Sequence, residues 1–479
     1  MTGLVERLRG DLGDAAVLTG DDVSARAVGW ANPASRVARA IVRPGSTAEL
    51  ALTIRRCAEA KQPIVTYGGG TGLVNGTDTE ASDVLLSLER MNRIERIDTD
   101  GSTMTVQAGA VLQTVQERAE AEGFTFALDL GARGSATVGG AIATNAGGNA
   151  VIRYGMMREQ VLGLEAVLAD GTVLSSMNRM LKNNAGYDLK QLFIGTEGTL
   201  GVVTRAVLRL RPRMQSVCSG LLAIDDFAAV APLLRHLGST SGGTLSAFEV
   251  LWQDFYRALD ETGNHDLPLG TDHAYYALVE WHGGDAGQDP GRFEQALAQA
   301  VERGWIVDAA IAASERQRQA FWHMRDDIDG LRELLGDVVL FDVSLPIADA
   351  ESYTKAVFAR LEARWPDVFR GLTFGHLGDG NIHFMLTTGS ADAASHTEAM
   401  GIVYDELKPY GGSISAEHGI GTEKRPYLGV SRSVEEIAAM RRLKQAFDPA
   451  NILNPGKVLD DGPPRDSGRP SSKGIAFAQ

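Results

Sequence analysis

His376 and His383 bracket the segment Leu377-Gly378-Asp379-Gly380-Asn381-Ile382, and a Glu417-His418 dipeptide follows farther along the chain, between glycine-containing stretches. Asp379-Gly380 is a strong two-residue turn pair, and apolar residues flank it on both sides (Leu372 and Phe374; Ile382, Phe384 and Leu386), so the stretch reads as two antiparallel strands. With Asp379 and Gly380 at the turn centre, Gly378 pairs with Asn381, Leu377 with Ile382 and His376 with His383. The two imidazoles then share a face, with Cβ atoms roughly 4.5–5.5 Å apart. Two rings so placed can converge on one divalent ion. A carboxylate such as Glu417, arriving from elsewhere, completes a two-His-one-carboxylate set with positions left open for substrate. On residue types alone this set serves a zinc hydrolase or a non-haem iron oxygenase as readily as a redox enzyme. The plain alternative is a pair of hydrogen-bonding histidines in a turn.

A second kind of chemistry is written in glycine. Tyr67-Gly68-Gly69-Gly70-Thr71-Gly72 leaves an apolar strand and offers successive backbone N–H groups without Cβ atoms to obstruct a ligand, which suits a pyrophosphate. It is neither a Rossmann fingerprint, since Asn75 stands where the third glycine is required, nor a Walker A loop, since no Gly-Lys-Ser/Thr follows. The stretch from Gly131 to Gly148 is glycine-rich and has almost no large side chain, and a third small-residue stretch runs from Gly186 to Gly201. Three such segments imply a backbone packed against a large, extended cofactor.

The elements that must position these segments read as follows. Val37–Val42 is a strand. Ser46 with Glu49 forms a capping box opening a helix that carries Leu50, Ile54 and Cys57, and Pro63 opens the strand Ile64–Tyr67. Further strands are expected at Val84–Leu88, Thr103–Gln107, Leu164–Leu168 and Leu200–Leu210. Strands outnumber helices, which predicts an α+β domain rather than a doubly wound one. Pro212 and the polar stretch after it mark a boundary, beyond which longer amphipathic helices appear. A second capping box, Ser433 with Glu436, starts a late helix that stops at Asp448-Pro449. The expected division is a lead-in at 1–34, a first domain at 35–214, a second at 215–410, a C-terminal segment at 411–460 and a disordered tail at 461–479.

Composition narrows the partners. The 479 residues are 44% apolar with a formal charge of −15 and no Lys/Arg block, which argues against nucleic acid or an anionic membrane surface as the main partner. Cys57 and Cys218 are the only cysteines, so no disulfide framework is implied and a reducing, cytoplasmic location is expected. No apolar run approaches a transmembrane span.

The stretches YGGGTGLVNG (67–76), GSATVGGAIATNAGG (134–148), NAGYDLKQLFIGTEGTLGVVT (184–204), GHLGDGNIH (375–383), SISAEHGIGTEK (413–424) and FDPANILNPGK (447–457) occur in this order. Together they resemble the flavin-dependent D-2-hydroxy-acid dehydrogenases: D-2-hydroxyglutarate dehydrogenase, FAD-linked D-lactate dehydrogenase and the glycolate oxidase FAD subunit. These lie within the vanillyl-alcohol-oxidase/PCMH flavoprotein superfamily. The resemblance implies a PCMH-type FAD domain of two α+β subdomains, an antiparallel-sheet substrate domain, and a C-terminal helical segment returning to the flavin. FAD is implied at Pro44, Gly68, Gly69, Gly70, Thr71 and Gly72, and at Gly134, Ser135, Thr137, Gly139, Gly140, Thr144, Asn145 and Gly147. Glu197, Gly198, Val203 and Asn454 are implied as well. No histidine precedes His236, so the attachment that some relatives make through a histidine in or near the first glycine loop has no counterpart here, and the FAD is expected to be non-covalent.

By the same resemblance His376, His383 and Glu417 ligate one divalent metal, zinc or manganese, and His418 is the general base that takes the hydroxyl proton while hydride passes from Cα to flavin N5. Arg325 matches the position that binds a substrate carboxylate, with His418 beside it. Relatives acting on 2-hydroxyglutarate carry Thr, Lys and Asn where this chain has Asp329, Leu340 and Met385. Leu340 cannot pair with a distal carboxylate and Asp329 repels one. The expected substrate is therefore a D-2-hydroxy monocarboxylate with a small or apolar tail, D-lactate-like, with D-2-hydroxyglutarate as the alternative. A related non-redox flavin transferase is a more distant reading, opposed by the metal hairpin. An electron acceptor is required (a quinone, a cytochrome or an electron-transfer flavoprotein), and both a peripheral position at the inner membrane and a homodimer are compatible with the reading.

Overall fold

A computed structural model describes residues 3–30 and 32–460. The tail expected from 461 lies outside the described residues. The chain forms two units. The first takes the chain up to Gly147, then Gly155–Arg213, then the segment from Glu417 onward; the second takes Gly148–Tyr154 and Met214–Ala416.

The first unit holds two main sheets. One has four strands in the order Val17–Leu18, Ala40–Val42, Val84–Ser87, Ile64–Tyr67. The last three are parallel, and Ala40, Ile41 and Val42 are fully buried, as strands covered on both faces must be. The helix Thr47–Glu59 links two of them and buries Leu50, Ile54 and Cys57. Ser46 caps it by accepting the N–H of Glu49 at 3.2 Å. The reciprocal half of the expected capping box is displaced by one residue, because the Glu49 carboxylate takes the N–H of Gly45 at 2.7 Å. Around Val434–Phe447, by contrast, both arms of the Ser433–Glu436 box are made.

The second sheet is antiparallel, in the order Ile94–Asp98, Thr103–Gln107, Val202–Arg209, Val161–Val167, Val173–Ser176. Both chain ends contribute to the unit. The helix Leu4–Leu12 puts Leu4 and Leu8 into its core, and Val17–Leu18 pairs with Ile41 and Val42. At the other end, Leu453 bridges Ile64, and the buried Asp448 carboxylate gathers the N–H groups of Ile452 and Leu453 at 3.0 and 2.8 Å.

The second unit is built on a seven-stranded, wholly antiparallel sheet. Its order is Asp308–Ile311, Ser216–Ile224, Tyr275–Gly283, Leu245–Trp252, Arg370–Gly375, Asn381–Thr387, Val339–Ser344. The helices Gln253–Thr262, Glu315–Arg325 and Ile328–Leu335 bury Phe255, Phe321, Trp322, Met324 and Leu331 in one cluster with Leu251, Leu278, Leu372, Phe374 and Met385 of the strands. This is the face that carries the candidate site. Among the described residues no helix is long and apolar enough to cross a membrane.

Candidate active site

The histidine hairpin forms with a different register from the one its turn pair predicts. His383 stands opposite Phe374, not His376, and the pairing continues as Leu372 with Met385 and Arg370 with Thr387. Leu377–Asp379 make a single 3₁₀ turn, and Gly380 follows in the left-handed conformation at φ 85°. The N–H groups of both Asp379 and Asn381 return to the carbonyl of His376, so the connection uses more residues than a two-residue turn. The slip is even, so the alternation of faces survives. The two imidazoles lie with ring centroids 5.3 Å apart and nearly perpendicular planes, and both side chains are buried.

His376 is oriented by a residue that motif reading did not single out. Glu249, 1% exposed in the strand Leu245–Trp252, accepts from His376 Nδ1 through Oε1 at 2.7 Å and from Arg325 Nε through Oε2 at 2.9 Å. Burial alone would raise the Glu249 carboxyl, but the adjacent His376 and Arg325 outweigh it and hold the group well below the usual carboxylate range. Arg325 NH2 lies 3.2 Å from His376 Nε2. Arginine can only donate, so in the neutral imidazole Nε2 carries the lone pair and Nδ1 the proton. In this tautomer the other nitrogen is anchored on a carboxylate, and the Nε2 lone pair that accepts from Arg325 is the one a cation would take in exchange for that hydrogen bond.

Glu417 is positioned by the chain itself. The division between the units falls at the 416–417 peptide bond, and Ala416 is tied to the strand Val339–Ser344, where its N–H is accepted by the Asp342 carboxylate at 3.0 Å. Potential ligand atoms of His376, His383 and Glu417 all lie within 4.8 Å of one another. Two imidazoles and a carboxylate so gathered suit a divalent cation such as zinc or manganese, and the donor set fits the implied metal. His418 Nε2 is 3.8 Å from Glu417 Oε1.

The residues expected to bound the substrate are differently placed. Arg325 is buried, spans Glu249 and His376 and lies over the Phe374 ring at 5.2 Å. Leu340, Met385 and Leu372 form one cross-strand row, next to the row Asp342–His383–Phe374. Met385 is fully buried within the hydrophobic cluster, Leu340 packs at its margin, and Asp329 is exposed on the helix Ile328–Leu335.

In the first unit the glycine segments are packed against each other. A Cβ on Gly69 would stand 2.0 Å from the Ser135 carbonyl oxygen, and one on Gly68 would stand 2.6 Å from Thr137 Oγ1. Gly139 abuts Ala108 in the same way. Thr137 caps the turn Val138–Thr144 on the N–H of Gly140, Thr144 returns its hydroxyl to the Gly140 carbonyl, and Asn145 ends the turn at φ 51°. Gly134, Ser135 and Gly72 are exposed, while Pro44 and Gly147 are buried, as is Val203 opposite Ala166. Among the described residues, the N–H groups of Gly69, Gly70, Thr71 and Gly72 donate no hydrogen bond to protein. Adjacent unpaired N–H donors are what a pyrophosphate needs, so the loop fits the implied cofactor.

Glu197 and Asn454 act within the protein. The buried Glu197 carboxylate accepts the N–H groups of Ile420 and Gly421 at 2.6 and 3.0 Å, so it holds the loop that carries Glu417-His418. Burial raises the Glu197 carboxyl above its ordinary value, and these two N–H groups partly oppose the rise. Asn454 Oδ1 accepts the N–H of Thr66 at 2.8 Å, and its amide donates to Thr66 Oγ1 and to the carbonyl of Glu197, beside the left-handed Gly198.

The chain has counterparts among known proteins. Residues 213–458 match the family model of the C-terminal domain of FAD-linked oxidases, and residues 38–176 match an FAD-binding domain. D-2-hydroxyglutarate dehydrogenase of Xanthomonas citri pv. viticola is 37% identical over 425 residues, which is 87% of this chain and 88% of that protein. The mitochondrial D-2-hydroxyglutarate dehydrogenase of Bos taurus is 36% identical over 428 residues, covering 89% of this chain and 78% of its own length. A mitochondrial Schizosaccharomyces pombe protein with a provisional D-lactate dehydrogenase name is 33% identical over 442 residues, or 91% of this chain and 84% of its own. Among solved structures, p-cresol methylhydroxylase with substrate bound has TM-score 0.75 at 17% identity, covering 95% of this chain and 96% of that one. An alkyldihydroxyacetonephosphate synthase has TM-score 0.74 at 19% identity, covering 94% and 85%. The likeness to these two is one of fold. The chain belongs to the FAD-dependent D-2-hydroxy-acid dehydrogenases of the FAD-linked oxidase family, and its chemistry is the oxidation of D-2-hydroxy acids.

Proposed function

We propose that the protein oxidises D-2-hydroxyglutarate to the 2-oxo acid with non-covalent FAD and one divalent cation, zinc or manganese, held by His376, His383 and Glu417. The observation that carries the metal reading is the gathering of three ligand atoms within 4.8 Å, one of them on a histidine whose tautomer is set by Glu249. The choice of substrate follows relatives bearing that name at 36–37% identity over most of their length. It displaces the D-lactate-like monocarboxylate as the leading expectation.

When bound, FAD would supply a hydride acceptor, and a divalent cation held by His376, His383 and Glu417 would supply Lewis-acid chemistry that favours ionisation of a substrate hydroxyl. Arg325 holds the substrate carboxylate, a task matched to its planar fork. His418 takes the hydroxyl proton, since imidazole is the side chain that exchanges protons in the neutral range. The unpaired N–H groups of Gly69 to Gly72 bind the cofactor pyrophosphate. Turnover would require an electron acceptor: a quinone, a cytochrome or an electron-transfer flavoprotein.

One observation favours the monocarboxylate reading. The Leu340–Met385–Leu372 row adjoins the row of His383 and offers no partner for a distal carboxylate. Anaerobic flavin reduction and kcat/KM with D-2-hydroxyglutarate, D-lactate and D-2-hydroxybutyrate decide between them. The proposal expects D-2-hydroxyglutarate to have the highest kcat/KM. Preference for either monocarboxylate would transfer the assignment to the second reading, and a purified protein without a flavin spectrum would remove both.

A further inference from the structure

We propose that Glu249 is a positioning residue that aligns the metal ligand His376 and the carboxylate-binding Arg325 at once, one with each of its oxygens. The inference rests on the metal and substrate-carboxylate roles given above to His376 and Arg325. Its basis is geometric. Oε1 takes His376 Nδ1 at 2.7 Å and Oε2 takes Arg325 Nε at 2.9 Å, so a single carboxylate, itself 1% exposed, is shared between two residues that lie 51 positions apart. Pairing on the Nε side leaves the end of the guanidinium fork turned toward its other partners, and NH2 stands 3.2 Å from His376 Nε2. An anion bound beside His376 would thereby be within the reach of the same arginine. Neither orientation is independent of the other: a side chain at 249 that releases one partner shifts the anchor of the second.

The strand explains why the carboxylate stays put. Glu249 stands opposite Leu278 on a strand whose every residue is buried, and Ala247, two residues earlier on the same face, stands opposite Glu280. Glu280 in turn receives Trp322 Nε1 at 2.9 Å and Arg318 at 3.2 Å. Arg318, Trp322 and Arg325 follow helical spacing along one side of Glu315–Arg325, so two buried carboxylates fasten this helix to the sheet. Glu280 holds the helix at Arg318 and Trp322 and, among the described residues, bonds with neither His376 nor Arg325. It is therefore the natural comparison for Glu249.

The test uses the full chain, purified as holoenzyme, stripped of metal with a chelator and titrated with zinc and with manganese by chelator competition. Binding of the 2-oxo acid product to the metal-loaded protein is measured separately. Glu249→Gln, which keeps the shape and removes the charge, is expected to weaken metal affinity about 10–100-fold and to weaken 2-oxo-acid binding as well. Glu249→Asp, which keeps the charge on a shorter arm, is expected to fall between wild type and Glu249→Gln, and serves if the glutamine variant does not fold. Glu280→Gln is expected to lower the thermal midpoint while leaving metal affinity within about twofold of wild type. Arg325→Lys should weaken product binding less in the Glu249→Gln background than in wild type, since the arginine is already misaligned there. Folded Glu249→Gln and Glu249→Asp with wild-type metal affinity would overturn the proposal while leaving the metal reading intact. Equal loss of metal affinity in Glu280→Gln would overturn it in favour of general destabilisation. A wild-type protein that binds neither zinc nor manganese would bring down the metal reading, and this proposal with it.

Discussion

Asp342 stands directly across from His383 in the adjacent antiparallel strand, and its fully buried carboxylate accepts the N–H of Ala416, the residue before Glu417. One side chain thus connects the strand bearing His383 with the peptide that leads into Glu417. Replacing Asp342 by alanine leaves that half-buried N–H only the Asp342 carbonyl, at 3.3 Å, as acceptor, and is expected to cost about 0.5–1.5 kcal/mol of stability. The same variant should retain less zinc after dialysis against a weak chelator, and Asp342→Asn, which keeps an acceptor oxygen, should lie between. Thermal unfolding and metal content measured together check this; full metal retention in Asp342→Ala would show that Glu417 is held by other means.

The contact between the glycine loops predicts a sharp difference between two Gly→Ala substitutions. In Gly69→Ala the new Cβ would stand 2.0 Å from a backbone oxygen, so the loops must part. Flavin absorbance per protein is expected to fall severalfold or more. Gly10→Ala, with nothing within 4 Å and a helical backbone, should keep its flavin and gain about 0.5–1 kcal/mol. Equal flavin content in the two variants would remove the loop contact from the account of cofactor binding.

Glu280 gives the protein an acid-sensitive contribution to stability. Burial opposes its ionisation, but His282, Ser219 and Trp322 overcome this and lower its carboxyl from the ordinary 4.5 to about 2. A pKa depressed by folding contributes stability above the unfolded value, and the contribution is lost as pH falls through the folded one. The stability difference between wild type and Glu280→Gln should therefore be largest above pH 5. It should shrink by on the order of 2–3 kcal/mol toward pH 2. Urea unfolding at several pH values measures it, and a difference that does not change with pH would contradict the assignment.

His418 makes the most direct kinetic prediction. His418→Ala should keep its FAD and its metal yet reduce flavin about 10²–10⁴-fold more slowly with the preferred D-2-hydroxy acid. Stopped-flow reduction under anaerobic conditions, paired with flavin and metal content, provides the measurement. Near-normal reduction would exclude it as the base.

Much of the fold was legible in local sequence signals. The strand Thr103–Gln107 and the stop of the late helix at Asp448-Pro449 follow from alternation and punctuation that act over a few residues. The hairpin register was not legible, because Asp379-Gly380 is a valid turn pair and only the 3₁₀ turn around it tells that His383 meets Phe374. Glu249 and Asp342 belong to no motif used above, yet each left a trace. A single carboxylate in the apolar runs Leu245–Trp252 and Val339–Ser344 cannot be buried without partners, so its presence alone announces a polar network. What sequence could not supply was the identity of those partners, since His376 and Arg325 approach Glu249 from 127 and 76 residues away.

The pairing of Ile64 with Leu453 also governs when the first unit can fold during synthesis. A strand made early must wait for residues translated far downstream, 388 positions later between Thr66 and Asn454, and Lys444 adds a contact of the same late origin. Such long-range closure slows folding and prolongs the exposure of apolar surface. A nascent chain stopped before about residue 448 would thus emerge with its cofactor half unfinished, however complete its second sheet, and would be a natural client for chaperones.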